Sequence, residues 1–470
     1  MAARNHRFQA PKGTRDFLPP DMAVRRHIEG AWRSAAIRHG FDEVEGPTFE
    51  HVELYTAKSG PGIVSELFSF ERAGGDTSYA LRAEFTPTVA RMAAALGPSA
   101  PRPIKWFSAP CLFRAERPQR GRLREHVQWN VDVLGEPTPA AEAEVIAAAA
   151  DALSALGLTG DDVTFRISHR DLAVALLTAA CGMTGDTAEA ALQLLDRRGK
   201  LPADVLATQI GELGLDPSGL AIFDAFEAAR LPLSAITGGA SVIRAALDAA
   251  DASLPAAMVD ALETAIADDP GTAALQDLAA RLDAAGLTGW CRLDPSIVRG
   301  LAYYTGTVFE VHEVSGRERA VAGGGRYDGL VELFGGPPTP AVGFGMGDVV
   351  LRLLLEDRDR LPAPESLIPA PDAFVLGDDA AEGVAHRKLV LLAALRRAGQ
   401  HARRSYRATT KLRKGLEEAN KLRCRFALIV DADRPQTVTI KSLASGEQTD
   451  VADADAAAWI AAQPAPSPAP

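Results

Sequence analysis

Along residues 126–133 the chain alternates without a break: His126, Gln128, Asn130 and Asp132 are polar, and Val127, Trp129, Val131 and Val133 are apolar. A period of two predicts a β-strand with one polar and one apolar face. Gln, Asn and Asp are poor strand formers, so three in register would weaken a strand that had no use for them. The competing reading is a solvated edge hairpin. Helical periodicity appears at 22–39, closed by Gly40, then at 86–97 and about 138–156. From about 171 to 286 the chain is rich in Ala, Leu and Asp, with almost no strand-like runs. Turn signals at Gly182, Pro202, Pro217, Pro232, Pro255 and Pro270 break it, which predicts a helical insertion. β-type sequence returns at 303–314, 320–330 and 341–357.

A proline-rich linker at 361–372 precedes a different pattern. Buried strands are predicted at 373–377 and 425–430, a third strand at 438–443, and helices at 380–398 and 411–422. Alternating β and α segments imply a small α/β domain. The organisation is therefore a first core part at 1–170, a helical insertion at 171–286, a second core part at 287–360, the linker, a small domain at 373–462 and a disordered tail at 463–470. Residues 1–10 read as frayed. The fold class is α/β, a β-rich core interrupted by helices.

Composition narrows the options. The 470 residues suggest about three domains. Apolar residues make up 47%, enough for real cores, and no run approaches a membrane span or a signal-peptide core. Cys111, Cys181, Cys291 and Cys424 are far apart, which argues against a disulfide framework or zinc site and fits a reducing cytoplasm. The net charge of −11 argues weakly against a nucleic-acid partner. Its distribution argues the other way: 13 Lys or Arg but only Glu417 and Glu418 fall between His386 and Arg425. A solvated helical face would look the same.

Four segments could carry chemistry. Arg114, Arg117, Arg120, Arg122 and Arg124 crowd the loop before the alternating strand. A guanidinium fork bonds carboxylate or phosphate bidentately and keeps its charge, so the pair of features suggests an anion held beside a small polar ligand. Glu84 stands before a helix start with Thr86 as N-cap and Pro87 in the first turn, placed to accept from a ligand ammonium. Arg299 precedes Tyr303 and Tyr304; two neighbours on a strand face opposite ways, so at most one serves simple core packing. The runs AGGGRYDGL and GFGMGD let backbone approach a ligand, but neither has P-loop or dinucleotide-binding spacing.

Together these residues resemble one family. FRAERPQRGR (113–122) resembles motif 2 of class II aminoacyl-tRNA synthetases in its histidyl-tRNA synthetase form, and RGLAYYTGTVFE (299–310) resembles the histidine signature of that family. KGTRDFLP, LRAEFTP, GGGRYDGL and GFGMG match in order, and 411–448 is similar to the family's anticodon-binding domain. The resemblance implies a class II core of mixed, largely antiparallel sheet with flanking helices. It implies activation of histidine by ATP, with accompanying Mg2+ and no dedicated metal site, then transfer to histidine tRNA by a homodimer joined near 40–55. By the same resemblance, Glu84, Phe85, Thr86, Arg114, Gln128, Asp132, Arg299, Tyr303 and Tyr304 hold histidine. Arg114, Glu116, Arg122, Gly345 and Gly347 hold ATP, Arg299 and Arg114 are catalytic, and Arg120, Arg124, Lys411, Arg413 and Lys414 meet tRNA.

The chain departs from the pattern in three places. Val350 stands where motif 3 carries an arginine for the γ-phosphate, leaving Arg352 or another cation to replace it. Asp132 replaces the usual Glu, and Ala302 replaces the Asp of RGLDYY. These changes imply a plastid-like and bacterial subgroup. A missing motif 3 arginine also suits a catalytically silent relative, the regulatory subunit of ATP phosphoribosyltransferase. The intact Arg114, Arg299, Gln128 and tyrosine pair, with the basic C-terminal region, favour the ligase. A nucleic-acid-binding module without catalysis would leave the polar strand face unexplained.

Overall fold

The structure is a computed structural model describing residues 8–59, 61–198, 201–214, 220–249, 256–267, 269–298, 303–406 and 411–464. Arg299, Ala302, Pro217, Pro255 and residues 465–470 of the expected tail lie outside the described residues. The chain divides into two compact units, Met1–Pro362 and Ala363–Pro470. The junction falls inside the expected linker, which also holds a one-turn helix, Pro364–Leu367.

The first unit is built on a nine-stranded sheet. Its centre is the alternating strand, Glu125–Leu134, hydrogen-bonded antiparallel to Ile104–Ser108 on one side and Ala341–Gly347 on the other. The order continues through Ala322–Arg326, Thr307–Glu313, Val163–His169 and Cys291–Leu293. The edge-hairpin reading fails here, because both edges of the alternating strand are paired. The polar row is not solvated either: Asn130 and Asp132 are buried.

The apolar row packs on helices. Helix Pro19–Arg38 buries Val24, Ile28, Trp32, Ala35 and Ala36, a stripe at helical spacing. Trp32 stacks on Trp129 at 6.1 Å between ring centroids, and Trp129 meets Phe344 edge-on at 5.1 Å. With that face sealed, the polar row is left on the other side of the sheet. A separate three-stranded sheet joins Phe49–His51, Ser78–Leu81 and Ser69–Glu71.

Helix Thr86–Leu96 starts one residue earlier than its N-cap reading required. Thr86 is already helical, Phe85 occupies the cap position without a side-chain cap bond, and Pro87 sits in the first turn. The insertion is helical among the described residues, from Arg170–Cys181 to Pro270–Ala284. Tyr303 and Tyr304 do not lie on a strand. They form a turn ahead of Thr307–Glu313, so the expectation that they face opposite ways does not apply.

The second unit carries a five-stranded sheet in the order Ala402–Arg404, Ala373–Leu376, Phe426–Val430, Thr437–Ser442, Gln448–Ala452. Helices Val384–Arg397, Leu412–Lys421 and Ala456–Ala461 accompany it. The first and last strands escaped the sequence reading because they are short edge strands with little apolar alternation, the last of them mostly exposed.

Candidate active site

The polar row opens onto a cavity of about 870 Å³. Gln128 and Asn130 line it from the central strand, and Gly343, Gly345 and Gly347 from its neighbour. The register explains the glycines. Gly343 pairs with Asp132, Gly345 with Asn130 and Gly347 with Gln128. A Cβ on Gly343 would fall on Asp132 Oδ1 and 2.7 Å from the Val131 carbonyl oxygen. A Cβ on Gly345 would sit 2.6 Å from Gln128 Cδ. GFGMG therefore spaces its glycines to make room for the polar side chains across the ladder.

Acid and aromatic groups gather near Asp132. Tyr303 and Tyr304 lie 4.5 Å apart by ring centroid, their hydroxyls 3.4 Å apart, and Tyr303 meets Tyr327 edge-on at 6.1 Å. The Tyr327 hydroxyl donates to Asp132 Oδ1 at 2.5 Å. Burial pushes the Asp132 carboxyl up to about 7, although the tyrosine bond draws it down. Tyr327 lines the cavity and Asp132 does not, so the hydroxyl stands between the carboxyl and the space expected for a ligand. Glu84 and Thr86 line the same cavity. Glu84 is ion-paired with the fully buried Lys58 side chain, whose ammonium sits 4.1 Å from the Tyr303 ring centroid. Phe85 is wholly buried in the core with Val89, Tyr304 and Val308, so it backs the site.

Arginines gather where the central strand begins, about 20 Å along it from Asp132 at 3.3 Å per residue. Arg114 and Arg122 line the cavity. Arg114 Nε donates to the Ala83 carbonyl at 3.1 Å, and Arg122 is paired with Glu116. Glu116 is thus beside the cavity, holding an arginine. The loop folds as a hairpin, with Gln119 and Arg122 exchanging backbone bonds at 3.0 and 2.9 Å and Gly121 at φ +73°. Arg120 binds Glu318, and Arg124 Nε donates to the Glu116 carbonyl at 3.2 Å. Both are engaged within the fold. His126 also lines the cavity; burial, with Arg114, Arg15 and Arg122 nearby, holds its imidazole down at about 3 and hence neutral.

Gly345 and Gly347 line the cavity, and Val350 lies beside them. Arg352 turns away, donating to Glu356 at 2.9 Å and to Asp21 at 3.3 Å. Sequence reasoning missed Lys58, Tyr327, Arg319, Arg166 on the core strand Val163–His169, and the rim from the insertion, Asp196, Arg198 and Glu227. Tyr327 lies within GGGRYDGL, so a signal was present. Nothing local marked the rest. In the second unit, Lys411, Arg413 and Lys414 are exposed at the start of helix Leu412–Lys421.

The family model for histidyl-tRNA synthetase matches residues 13–348, and the anticodon binding domain model matches 376–463. The histidine–tRNA ligase of Halobacterium salinarum is 40% identical over 451 residues, covering 93% of this chain and 94% of that protein. The chloroplastic/mitochondrial histidine–tRNA ligase of Arabidopsis thaliana is 37% identical over 352 residues, 75% of this chain and 67% of that protein. The crystal structure of histidyl-tRNA synthetase from Nostoc sp. PCC 7120 superposes with a TM-score of 0.72 at 22% identity, covering 97% of this chain and 99% of that one.

Proposed function

This chain belongs to the histidyl-tRNA synthetase family, an ATP-dependent ligase of histidine and tRNA, and we propose that the cavity on the central sheet performs both half-reactions. One observation carries the site assignment. The polar row of the Glu125–Leu134 strand faces a glycine stripe, between a carboxylate–tyrosine group and a pair of arginines. Histidine has an ammonium, a carboxylate and an imidazole, and this order of groups suits all three.

Glu84, Thr86 and Gln128 accept from the ammonium. Tyr303, Tyr304 and the Tyr327–Asp132 pair surround the imidazole, with Phe85 as backing. Arg114 bridges the carboxylate and the α-phosphate; Arg122, oriented by Glu116, and the Gly345–Gly347 backbone hold the nucleotide. Arg299, by its match to the family's catalytic arginine, is assigned to stabilise charge at the α-phosphate. Attack of the carboxylate on the α-phosphorus forms the carbon–oxygen–phosphorus anhydride and expels pyrophosphate. Arginines fixed before the reaction stabilise the charge that builds on the phosphoryl oxygens, and no protein base is needed because the carboxylate is already ionised. The tRNA ribose hydroxyl then attacks the carbonyl and AMP leaves.

Mg2+ would travel with ATP and neutralise phosphate charge. Among the described residues no group of three His, Cys, Asp or Glu is placed to hold a cation, so phosphate oxygens would be its main ligands. Lys411, Arg413 and Lys414 suit the tRNA backbone; Arg120 and Arg124 suit it less, being engaged within the fold. The regulatory-subunit reading is disfavoured by the anticodon-binding match over residues 376–463. We place the protein in the cytoplasm, where its four free thiols would stay reduced. We also propose a homodimer through the segment 40–55. Phe49 and Phe70 are each over 40% exposed and cluster with Tyr79, an aromatic surface that association would cover.

The test is histidine-dependent exchange of pyrophosphate into ATP. Arg114→Ala should lower its kcat/KM by about 100-fold or more. Near-normal exchange would remove Arg114 from the chemistry.

A further inference from the structure

ATP carries about four negative charges, and a cation already paired with a protein carboxylate offers it less net charge than an unpaired one. Among the described arginines lining the cavity, Arg122 is paired with Glu116, Arg166 with Asp294 and Glu227, and Arg198 with Asp224 and Glu227, while Arg114 donates to the Ala83 carbonyl and is already assigned to the α-phosphate. Arg319 also lines the cavity and has neither an ion pair nor a hydrogen bond among the described residues. It sits on the connection between strands Thr307–Glu313 and Ala322–Arg326, next to Val350 and Gly121. A Cβ built on Gly121 would lie 3.3 Å from Val350 Cγ2 and 3.8 Å from Arg319 Cδ.

That connection is anchored on both sides. Glu318, its side chain only 5% exposed, accepts from Arg120 Nη2 at 2.5 Å and Nε at 2.8 Å. Glu313 accepts from the Arg317 backbone N–H at 3.1 Å and from Arg358 at 3.0 Å. The first of these anchors ties the turn to the arginine loop, the loop that carries Arg122 into the cavity. The side chain following Glu318 is therefore delivered beside Val350, where the family's motif 3 arginine is missing. Arg352, two residues on, is committed to Asp21 and Glu356.

We propose that Arg319 is the cation for the terminal phosphates of ATP in this chain, and that Arg120 and Glu318 position it; this rests on the ligase reading above. The guanidinium binds the β- and γ-phosphate oxygens and then the departing pyrophosphate. Arg120 thus becomes a positioning residue for ATP instead of a reader of tRNA.

The experiment compares full-length wild type with Arg319→Ala, Arg319→Lys, Arg120→Ala and Arg352→Ala. Calorimetric binding of ATP and of AMP is measured, together with the KM values in histidine-dependent pyrophosphate exchange. Arg319→Ala should weaken ATP binding by about 10- to 100-fold, the loss of a charge-assisted contact, while AMP binding and the KM for histidine stay within about twofold. Arg319→Lys should recover part of the loss. Arg120→Ala should raise the KM for ATP in the same direction but less, and Arg352→Ala should leave it within about twofold. ATP binding unchanged in Arg319→Ala, equal losses for ATP and AMP, or a loss confined to Arg352→Ala would each overturn the proposal. Wild-type protein that binds ATP but shows no histidine-dependent exchange would refute the ligase reading alone, and the binding comparison would still decide the Arg319 contact.

Discussion

The Tyr327 hydroxyl donates to Asp132 Oδ1 at 2.5 Å inside the sheet, with both side chains buried. Burial raises the carboxyl to about 7 from 3.8 and raises the phenol well above its usual value. The pair is thus poised between a proton-holding and an ionised state near neutrality. An ionised Asp132 holds the Tyr327 O–H toward itself, which leaves the phenol oxygen as an acceptor on the cavity side.

The first prediction concerns pH. The folded value lies above the unfolded one, so folding favours protonated Asp132. Its contribution to stability is greatest below about pH 4, declines between about 4 and 7, and is flat above. Urea unfolding across that window should show a smaller decline for Asp132→Asn. In the wild type, kcat/KM for histidine should rise through about pH 7, and Asp132→Asn should lose that limb beyond what free histidine itself contributes.

A second prediction tests the glycine stripe. In Gly343→Ala the new methyl meets Asp132 Oδ1, held by the Tyr327 hydroxyl, and the Val131 carbonyl, fixed by the sheet. Stability should fall by about 1–3 kcal/mol, the usual range for overpacking, and the KM for histidine should rise. A variant with wild-type melting and kinetics would show that the stripe is not needed for space.

Lys58 gives a third. Its side chain is fully buried and its partner Glu84 is only 17% exposed. Removing one partner of such a pair leaves a charge in low dielectric, so Lys58→Met should destabilise by about 3 kcal/mol. Adding Glu84→Gln should restore part of it, which a double-mutant cycle in urea measures. Independent, additive losses would mean that the pair is not coupled.

The exposed aromatic cluster gives a fourth. Phe49→Glu with Phe70→Glu should shift the protein from dimer to monomer in sedimentation, with little change in the far-ultraviolet spectrum. Wild-type protein that sediments as a monomer at micromolar concentration would sink the dimer.

Truncation after Pro362 gives the fifth. The second unit has its own core around Val375, Leu391 and Leu428. Its loss should reduce tRNA charging by about 100-fold or more while adenylate formation falls far less. Equal losses would make this unit structural and not a tRNA reader.

The alternating strand was legible because period two is a local property, and so were the long helices. Arg114, Arg122 and Gln128 were legible because their spacing matches a known motif, and the structure brings all three to one cavity. Thr86 was misread as a cap because cap and first-turn positions differ only in backbone dihedrals. Tyr303 and Tyr304 were misread as strand neighbours because nothing local marks a turn before Gly306. Lys58 could not be read at all: it becomes relevant only when helix Val52–Ser59 is folded against Glu84.

The sequence by itself determined the main helices and the central strand, the family and the chemical types of the site, since periodicity and motif spacing survive without contacts. Only the tertiary structure decided which charges are already spent. Ion pairing depends on residues hundreds of positions apart, as with Arg120 and Glu318 or Arg352 and Asp21. That pairing turned Arg352 away from the cavity and left Arg319 facing it.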